Sequence, residues 1–157
     1  MTLCILAIDP GVNGAIAFYR PDAASAVAVE DMPQADGSVD AVTLAKRIAL
    51  MAPDVAFVEH VSSMPGQGVA STFKFGTAFG SALGIVAALQ IPLHLVRPQK
   101  WKKHFGLNAD KERSRALALR FWPSSDAFAR KKDEGRAEAA LIARYGADIL
   151  NLSKVTA

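Results

Sequence analysis

The chain runs to 157 residues, of which 51% are hydrophobic and 21% charged. That balance excludes a disordered or low-complexity chain and fits one globular domain, residues 1–157, around one core. The lone cysteine, Cys4, excludes an internal disulfide framework, and no basic-then-apolar leader with a cleavage site opens the sequence, so a cytoplasmic protein is expected.

Leu3 to Ile8 is a short apolar run with β-formers, followed by Asp9-Pro10-Gly11. Cys4 lies inside that run and reads as a buried thiol rather than a nucleophile. Asn13-Gly14 is a strong hairpin signal, which makes Ala15 to Tyr19 the returning strand. Ala26 to Glu30 alternates like a third strand. Val39 to Met51 carries Val42, Leu44, Ala45, Ile48 and Leu50 at roughly helical spacing, and Pro53 ends it. Val55 to Val58 is a continuous apolar strand with Glu59 directly after it. A strand reached through a helical crossover should lie parallel to an earlier one.

Ser62 to Gly68 reads as a loop, and a helix is expected from about Val69 to Gln90. Phe75 to Val96 is apolar enough to be weighed as a membrane span, but Gln90 and Pro92 interrupt it. With Gly76, Gly80 and Gly84 at four-residue spacing, a buried, closely packed helix of a soluble protein is the better reading. Pro92 to Val96 is a strand. The rest is mostly helical, over Pro98 to Phe105, Asp110 to Phe121 and Glu134 to Tyr145, with Pro123 to Ala127 as a loop. Three strands, helix, strand, helix, strand and helices predict an α/β fold. Its mixed central sheet has three antiparallel strands and then parallel ones, flanked by helices. That order does not by itself identify a function.

Asp9 and Glu59 each stand at the carboxyl end of a buried strand. If those strands are parallel neighbours, the two carboxylates meet at one sheet edge, where open α/β sheets place ligands. Acids there suit hard cations such as Mg²⁺ or Mn²⁺. Two surface acids at strand ends are the plainer alternative.

A third acidic element begins at Lys132-Asp133-Glu134-Gly135-Arg136-Ala137-Glu138. Glu134 and Glu138 share a face if both are helical, and Leu141 and Tyr145 carry that face toward the core. Glu138 then falls at the core border, an unusual place for an unpaired carboxylate. Asp133 points away from Glu138 in a regular helix and reaches the site only from a preceding loop. The helix dipole alone accounts for acids at a helix start, which weighs on Asp133 and Glu134 but much less on Glu138. On the face argument Glu134 is the stronger of the two.

The net charge of +3 is unevenly spread. Residues 1–96 hold four Lys/Arg against eight Asp/Glu, and residues 97–157 hold 14 against seven. A basic half points to a polyanion partner, with a solvated basic surface as the alternative. Trp101 and Phe105, at helical spacing, read as core rather than as base-stacking platforms.

Five segments occur in a telling order: Ile8-Asp9-Pro10-Gly11 with the Ala15-Ile16-Ala17 strand; Val58-Glu59 and its loop; Ser71-Thr72-Phe73-Lys74-Phe75-Gly76-Thr77-Ala78-Phe79-Gly80; Pro98-Gln99-Lys100-Trp101-Lys102 with Asn108-Ala109-Asp110-Lys111; and Glu138-Ala139-Ala140-Leu141-Ile142-Ala143. Across roughly residues 5–143 they resemble the RuvC-type Holliday junction resolvases, and the stretch from Gly135 to Ala139 is similar to their phage-type branch.

The resemblance implies an RNase H-like fold and a structure-selective endonuclease that nicks four-way DNA by two-metal-ion hydrolysis. It implies two Mg²⁺ ions per site, with Mn²⁺ as a substitute. Asp9 would bridge them, Glu59 and Glu138 would complete their shells, and Glu134 or Asp133 would be the fourth ligand. Lys102 and Lys111 match the family lysines near the scissile phosphate. DNA backbone would be held by Lys74, by Lys100, Lys102 and Lys103, by Lys111, Arg113 and Arg115, and by Arg130, Lys131 and Lys132. A bacterial cytoplasmic protein, host- or phage-encoded, acting as a homodimer on branched DNA is expected.

The glycine face of the long helix offers either a subunit interface or a surface for its own sheet. His60-Val61-Ser62-Ser63 lacks the aromatic residue that some relatives place there. Two other classes share part of this pattern. Actin-like ATPases and sugar kinases share the acidic, glycine-bearing opening but need further glycine loops and a longer chain. A non-catalytic or RNA-processing nucleic-acid-binding protein of the same fold is the other alternative.

Overall fold

The computed structural model describes residues 2–24 and 26–155, apart from the side chains of 152–155. In chain order the elements begin with β1 (Ile5–Asp9), β2 (Ala15–Arg20), β3 (Ala26–Asp31), β4 (Gln34–Ala35) and β5 (Ser38–Val39). Next come α1 (Ala41–Met51), β6 (Val55–Glu59), α2 (Val69–Ala88), β7 (Leu93–Val96), α3 (Pro98–His104) and α4 (Lys111–Phe121). Two 3₁₀ turns, Asp126–Phe128 and Lys131–Asp133, lead into α5 (Glu134–Val155). The main sheet has the order β3-β2-β1-β6-β7, antiparallel from β3 to β1 and parallel from β1 to β7. This is the mixed sheet the sequence predicts.

Side-chain alternation divides the core in two. Ile5 and Ala7 of β1, Ala15 and Ala17 of β2, and Val55 and Phe57 of β6 face α5, with Trp101 of α3 and Ala118 of α4. Leu6, Ile8, Ile16, Ala56 and Val58 face the other way, onto Leu44 and Ile48 of α1 and Ala82 and Val86 of α2. The sheet is therefore covered on both sides, which is why β1 and β6 read as unbroken apolar runs.

α5 crosses β1 and β2 closely because its inner face is mostly alanine: Ala137, Ala140, Ala143 and Ala147 are all buried. At Gly146 an added Cβ would stand 2.6 Å from the Phe57 ring, so only glycine lets α5 settle on β6 there.

Three features depart from the sequence expectation. A small hairpin, β4 with β5, occupies residues 34–39, which carry too few apolar residues to signal a strand. The closing helix runs ten residues past Tyr145, to Val155. The buried, closely packed helix expected around Gly76 is instead a surface helix. Only Ala78, Ala82 and Val86 of α2 are buried, and among the described residues a Cβ at Gly76, Gly80 or Gly84 would meet nothing within 4 Å. By length and composition alone α2 is long and apolar enough to cross a membrane. The glycines do not pack on the sheet because the stripe Ala78-Ala82-Val86 already makes that contact, and they lie on another side of the helix.

Candidate active site

The parity that fills the core also builds the site. Asp9 continues the Ile5, Ala7 face of β1, and Glu59 continues the Val55, Phe57 face of β6, so both carboxylates emerge on the α5 side. Ile8 pairs with Val58 in parallel register, which sets Asp9 and Glu59 level with one another at the strand ends. Glu138, one turn into α5 and only 5% exposed, approaches from above.

The three acids line one cleft of about 410 Å³ with Lys102, Lys111, Pro98, Phe75 and the turn Pro10–Gly14. Glycine is required in that turn: a Cβ at Gly14 would fall 1.9 Å from the Asp9 carbonyl oxygen. The Phe75 ring closes on Gly11, whose φ of +135° is outside the usual range of other residues. Gln34 of the unforeseen hairpin donates its side-chain amide to the Val12 carbonyl and braces the same turn.

Burial and neighbouring negative charge raise the pKa of two of the three carboxylates, Asp9 and Glu59. Burial pushes Asp9 well above the ordinary carboxylate value; Glu59 and then Glu138 push it further, against the pull of Lys111 and Lys102. Glu59 is also raised, chiefly by burial, while a hydrogen bond from Trp101 and the charge of Lys102 oppose the rise. The Trp101 indole Nε1–H donates to Glu59 Oε1 at 2.9 Å. Lys102 Nζ lies 3.3 Å from Glu138 Oε1. Among the described residues that oxygen nonetheless accepts no hydrogen bond of good geometry. Among the described residues no three His, Cys, Asp or Glu side chains are yet drawn together at ion-holding distance. Lys102 and Trp101 hold two of the three acids instead.

Asp133 and Glu134 are not brought to this cleft. Asp133 is buried, with its carboxylate taken by the Arg130 backbone N–H (2.8 Å) and guanidinium (2.8 Å), and Arg136 is 3.9 Å away. The hydrogen bonds from Arg130 hold it below the usual carboxylate range. Glu134 opens α5 but does not line the cleft. The residue of that turn that faces Asp9 is Gly135, where a Cβ would stand 3.8 Å from Asp9 Oδ2. Glu138 therefore shares its face with the residue three before it rather than four.

Of the cations, Lys102 and Lys111 line the cleft, while Lys74, Lys100, Lys103, Arg113, Lys131 and Lys132 are exposed and do not line it. Arg115 is already engaged, chelating Glu112 and donating to the carbonyls of Phe128 and Ala129. Arg130 is engaged with Asp133. Trp101 is core, as its helical spacing predicts, and its buried indole N–H, which needs an acceptor, finds one in Glu59.

No family model matches the chain, and no curated protein matches it. Among solved structures it is similar to Thermus thermophilus RuvC, at 15% identity and a TM-score of 0.64. It is similar also to T. thermophilus RuvC in complex with a Holliday junction substrate, at 16% and 0.62. Both similarities cover 94% of this chain and 96% of the other. Fowlpox virus resolvase in complex with Holliday junction DNA is similar at 14% identity and a TM-score of 0.57, over 94% of this chain and 99% of that one. Sheet order, flanking helices and near-complete coverage agree: the chain has the RuvC-type, RNase H-like fold.

Proposed function

We propose that the chain is a metal-dependent endonuclease that nicks four-way DNA junctions, and that it acts as a homodimer. The observation that carries this reading is the meeting of Asp9, Glu59 and Glu138 with Lys102 and Lys111 in one cleft at the carboxyl edge of a RuvC-type sheet. The similar T. thermophilus and Fowlpox virus proteins hold Holliday junction DNA, which supports the choice of substrate.

The donor set fits hard divalent cations. Three carboxylates face two ammonium groups, and buried Glu138 Oε1 lacks a hydrogen bond. Asp9, Glu59 and Glu138 would hold two Mg²⁺ ions, with Mn²⁺ as a substitute; when bound, these activate water at neutral pH and offset charge on the leaving 3′-oxygen. Asp9, which senses the charge of both other acids, would be one of these ligands. Lys102 favours the ionised form of Asp9 and Glu59 and holds Glu138 until a cation replaces it. Lys111, exposed at the rim, is free to meet the phosphate and offset its developing charge. The exposed Lys100, Lys103, Arg113, Lys131 and Lys132, with Lys74 on α2, would grip the backbone on either side. Such contacts position DNA without reading its sequence.

A four-way junction has two-fold symmetry and needs two nicks, and one chain supplies one carboxylate cleft. Two copies related by a two-fold axis answer that requirement. The open glycine face of α2 is the surface we assign to their contact.

The test is cleavage of a synthetic four-way junction, a linear duplex of the same sequence and a structured RNA, each with Mg²⁺ and with chelator. Paired nicks confined to the junction and dependent on Mg²⁺ are expected. Equal cutting of the linear duplex, or cutting of RNA alone, would sink the reading.

A further inference from the structure

The three acids are held by different means, and two of those means run through one side chain. Trp101 is completely buried beneath the cleft. Its Nε1–H donates to Glu59 Oε1 at 2.9 Å, forty-two residues away in sequence. Its ring also carries the Lys102 ammonium 5.2 Å from its centroid. That same ammonium is 3.3 Å from Glu138. The edge of one indole thus reaches Glu59, and its face supports the cation that reaches Glu138.

Two physical consequences follow. A buried indole N–H must be hydrogen-bonded, and Glu59 is its partner, so Glu59 Oε1 is committed to the protein and its rotamer is fixed. Oε2 remains to serve the cleft. The ring face, in turn, attracts the Lys102 ammonium. A phenylalanine would fill much of the same space, yet it has no N–H for Glu59 and a weaker hold on Lys102.

We propose that Trp101 is a positioning residue that presets Glu59 directly, and Glu138 through Lys102, for divalent-cation binding. This rests on the cation-dependent reading of the cleft but not on the choice of DNA substrate. Groups that orient metal ligands from behind commonly account for 10–100-fold in metal affinity (about that range).

The experiment titrates Mn²⁺ into the DNA-free protein by calorimetry, for the unmodified chain, Trp101→Phe, Glu59→Gln and the double variant. Trp101→Phe is expected to fold and to bind Mn²⁺ about ten-fold more weakly. The double variant is expected to bind only slightly more weakly than Glu59→Gln, because the Trp101–Glu59 contact is already lost and only the weaker route through Lys102 remains. In parallel, the Trp101 indole N–H resonance is followed by NMR during Mg²⁺ addition. It should move with the same midpoint as binding, and stay still in Glu59→Gln; a purely packing role would not move it. If Trp101→Phe keeps the full Mn²⁺ affinity, or the indole resonance ignores Mg²⁺, the proposal is overturned. A chain that binds Mn²⁺ as described yet leaves junctions intact would refute the junction-nuclease reading and leave this one standing.

Discussion

Lys102 and Glu138 form the tightest charge contact of the cleft, 3.3 Å apart with their side chains only 19% and 6% exposed. Little water screens the pair, so the lysine governs how much negative charge the cleft tolerates. Lys102 also draws Asp9 and Glu59 downward against burial. Lys102→Met removes that pull, and the pKa values of both acids move up further. A carboxylate must be ionised to ligate a cation, so the acid limb of the cleavage pH profile should shift to higher pH. At pH 7 the rate should fall by about 10²-fold. An unmoved acid limb would show that Lys102 does not tune the acids.

Asp9→Asn, Glu59→Gln and Glu138→Gln should each lower nicking by about 10³-fold or more. Junction binding in a gel-shift assay should survive, since the basic surface is untouched. Near-normal cutting by Glu59→Gln would remove it from the site.

The same clustering predicts a stability gain. The folded-state pKa of Asp9 is raised well above 3.8, so the native state binds a proton more tightly than the unfolded chain. Asp9 therefore costs nothing below its unfolded value, and its cost grows as the pH rises from there and is complete above its folded pKa. Asp9→Asn should raise Tm at neutral pH, and the gain should vanish toward pH 3.5 (roughly the unfolded-state range). Each kcal/mol gained reads as about 2–4 °C in a chain of this size. Equal Tm at both pH values would mean that Asp9 is not strained in the folded protein.

Asp133 and Glu134 offer a contrast. The Asp133 carboxylate is buried and satisfied by Arg130, so Asp133→Asn should lower stability by about 1–3 kcal/mol. Its lowered pKa makes that contribution present at neutral pH and lost as the pH falls through the folded value. Glu134→Gln, outside the cleft, should leave cleavage within about two-fold, the scale of ordinary surface substitutions. Metal-dependent nicking lost in Glu134→Gln with unchanged Tm would restore it as a ligand.

The strands were legible because β1 and β6 are buried on both faces and spell unbroken apolar runs. Asp9 and Glu59 were legible because a strand's last residue inherits a known side of the sheet. Glu138 was legible from the apolar face that continues it. The choice between Asp133 and Glu134 was not. It turns on a 3₁₀ turn whose Arg130 takes Asp133, and on Gly135 seating against the Asn13 carbonyl. Neither is a matter of helical period. The openness of α2 was hidden for a related reason. Glycines at four-residue spacing say that something can come close, and not what does.

Gly146→Ala tests the α5 seat. Its Cβ would need to enter the Phe57 ring, at 2.6 Å from two ring carbons, in a fully packed interior. Overpacking of this kind costs about 1–3 kcal/mol even after the neighbours shift. Alanine's better helix propensity returns about 1 kcal/mol at most. Thermal unfolding should register a net loss. A variant as stable as the parent would mean that Phe57 yields without strain.

The α2 face makes the dimer testable without disturbing the fold. Val69 and Phe73 are 88% and 75% exposed, and Gly76, Gly80 and Gly84 lie open. Among the described residues nothing lies within 4 Å of a Cβ at Gly80. Gly80→Arg should therefore leave the monomer at least as stable, since arginine favours helix over glycine by up to about 1 kcal/mol. In a dimer built on this face, the same side chain would drive two helices apart. Light scattering of the parent at micromolar concentration should return twice 16.7 kDa, and of Gly80→Arg the monomer mass. On junction DNA the parent should make paired, symmetric nicks, and the variant single ones. A Gly80→Arg protein that remains dimeric would place the contact elsewhere. A parent that stays monomeric on the junction and nicks one strand only would defeat the homodimer itself.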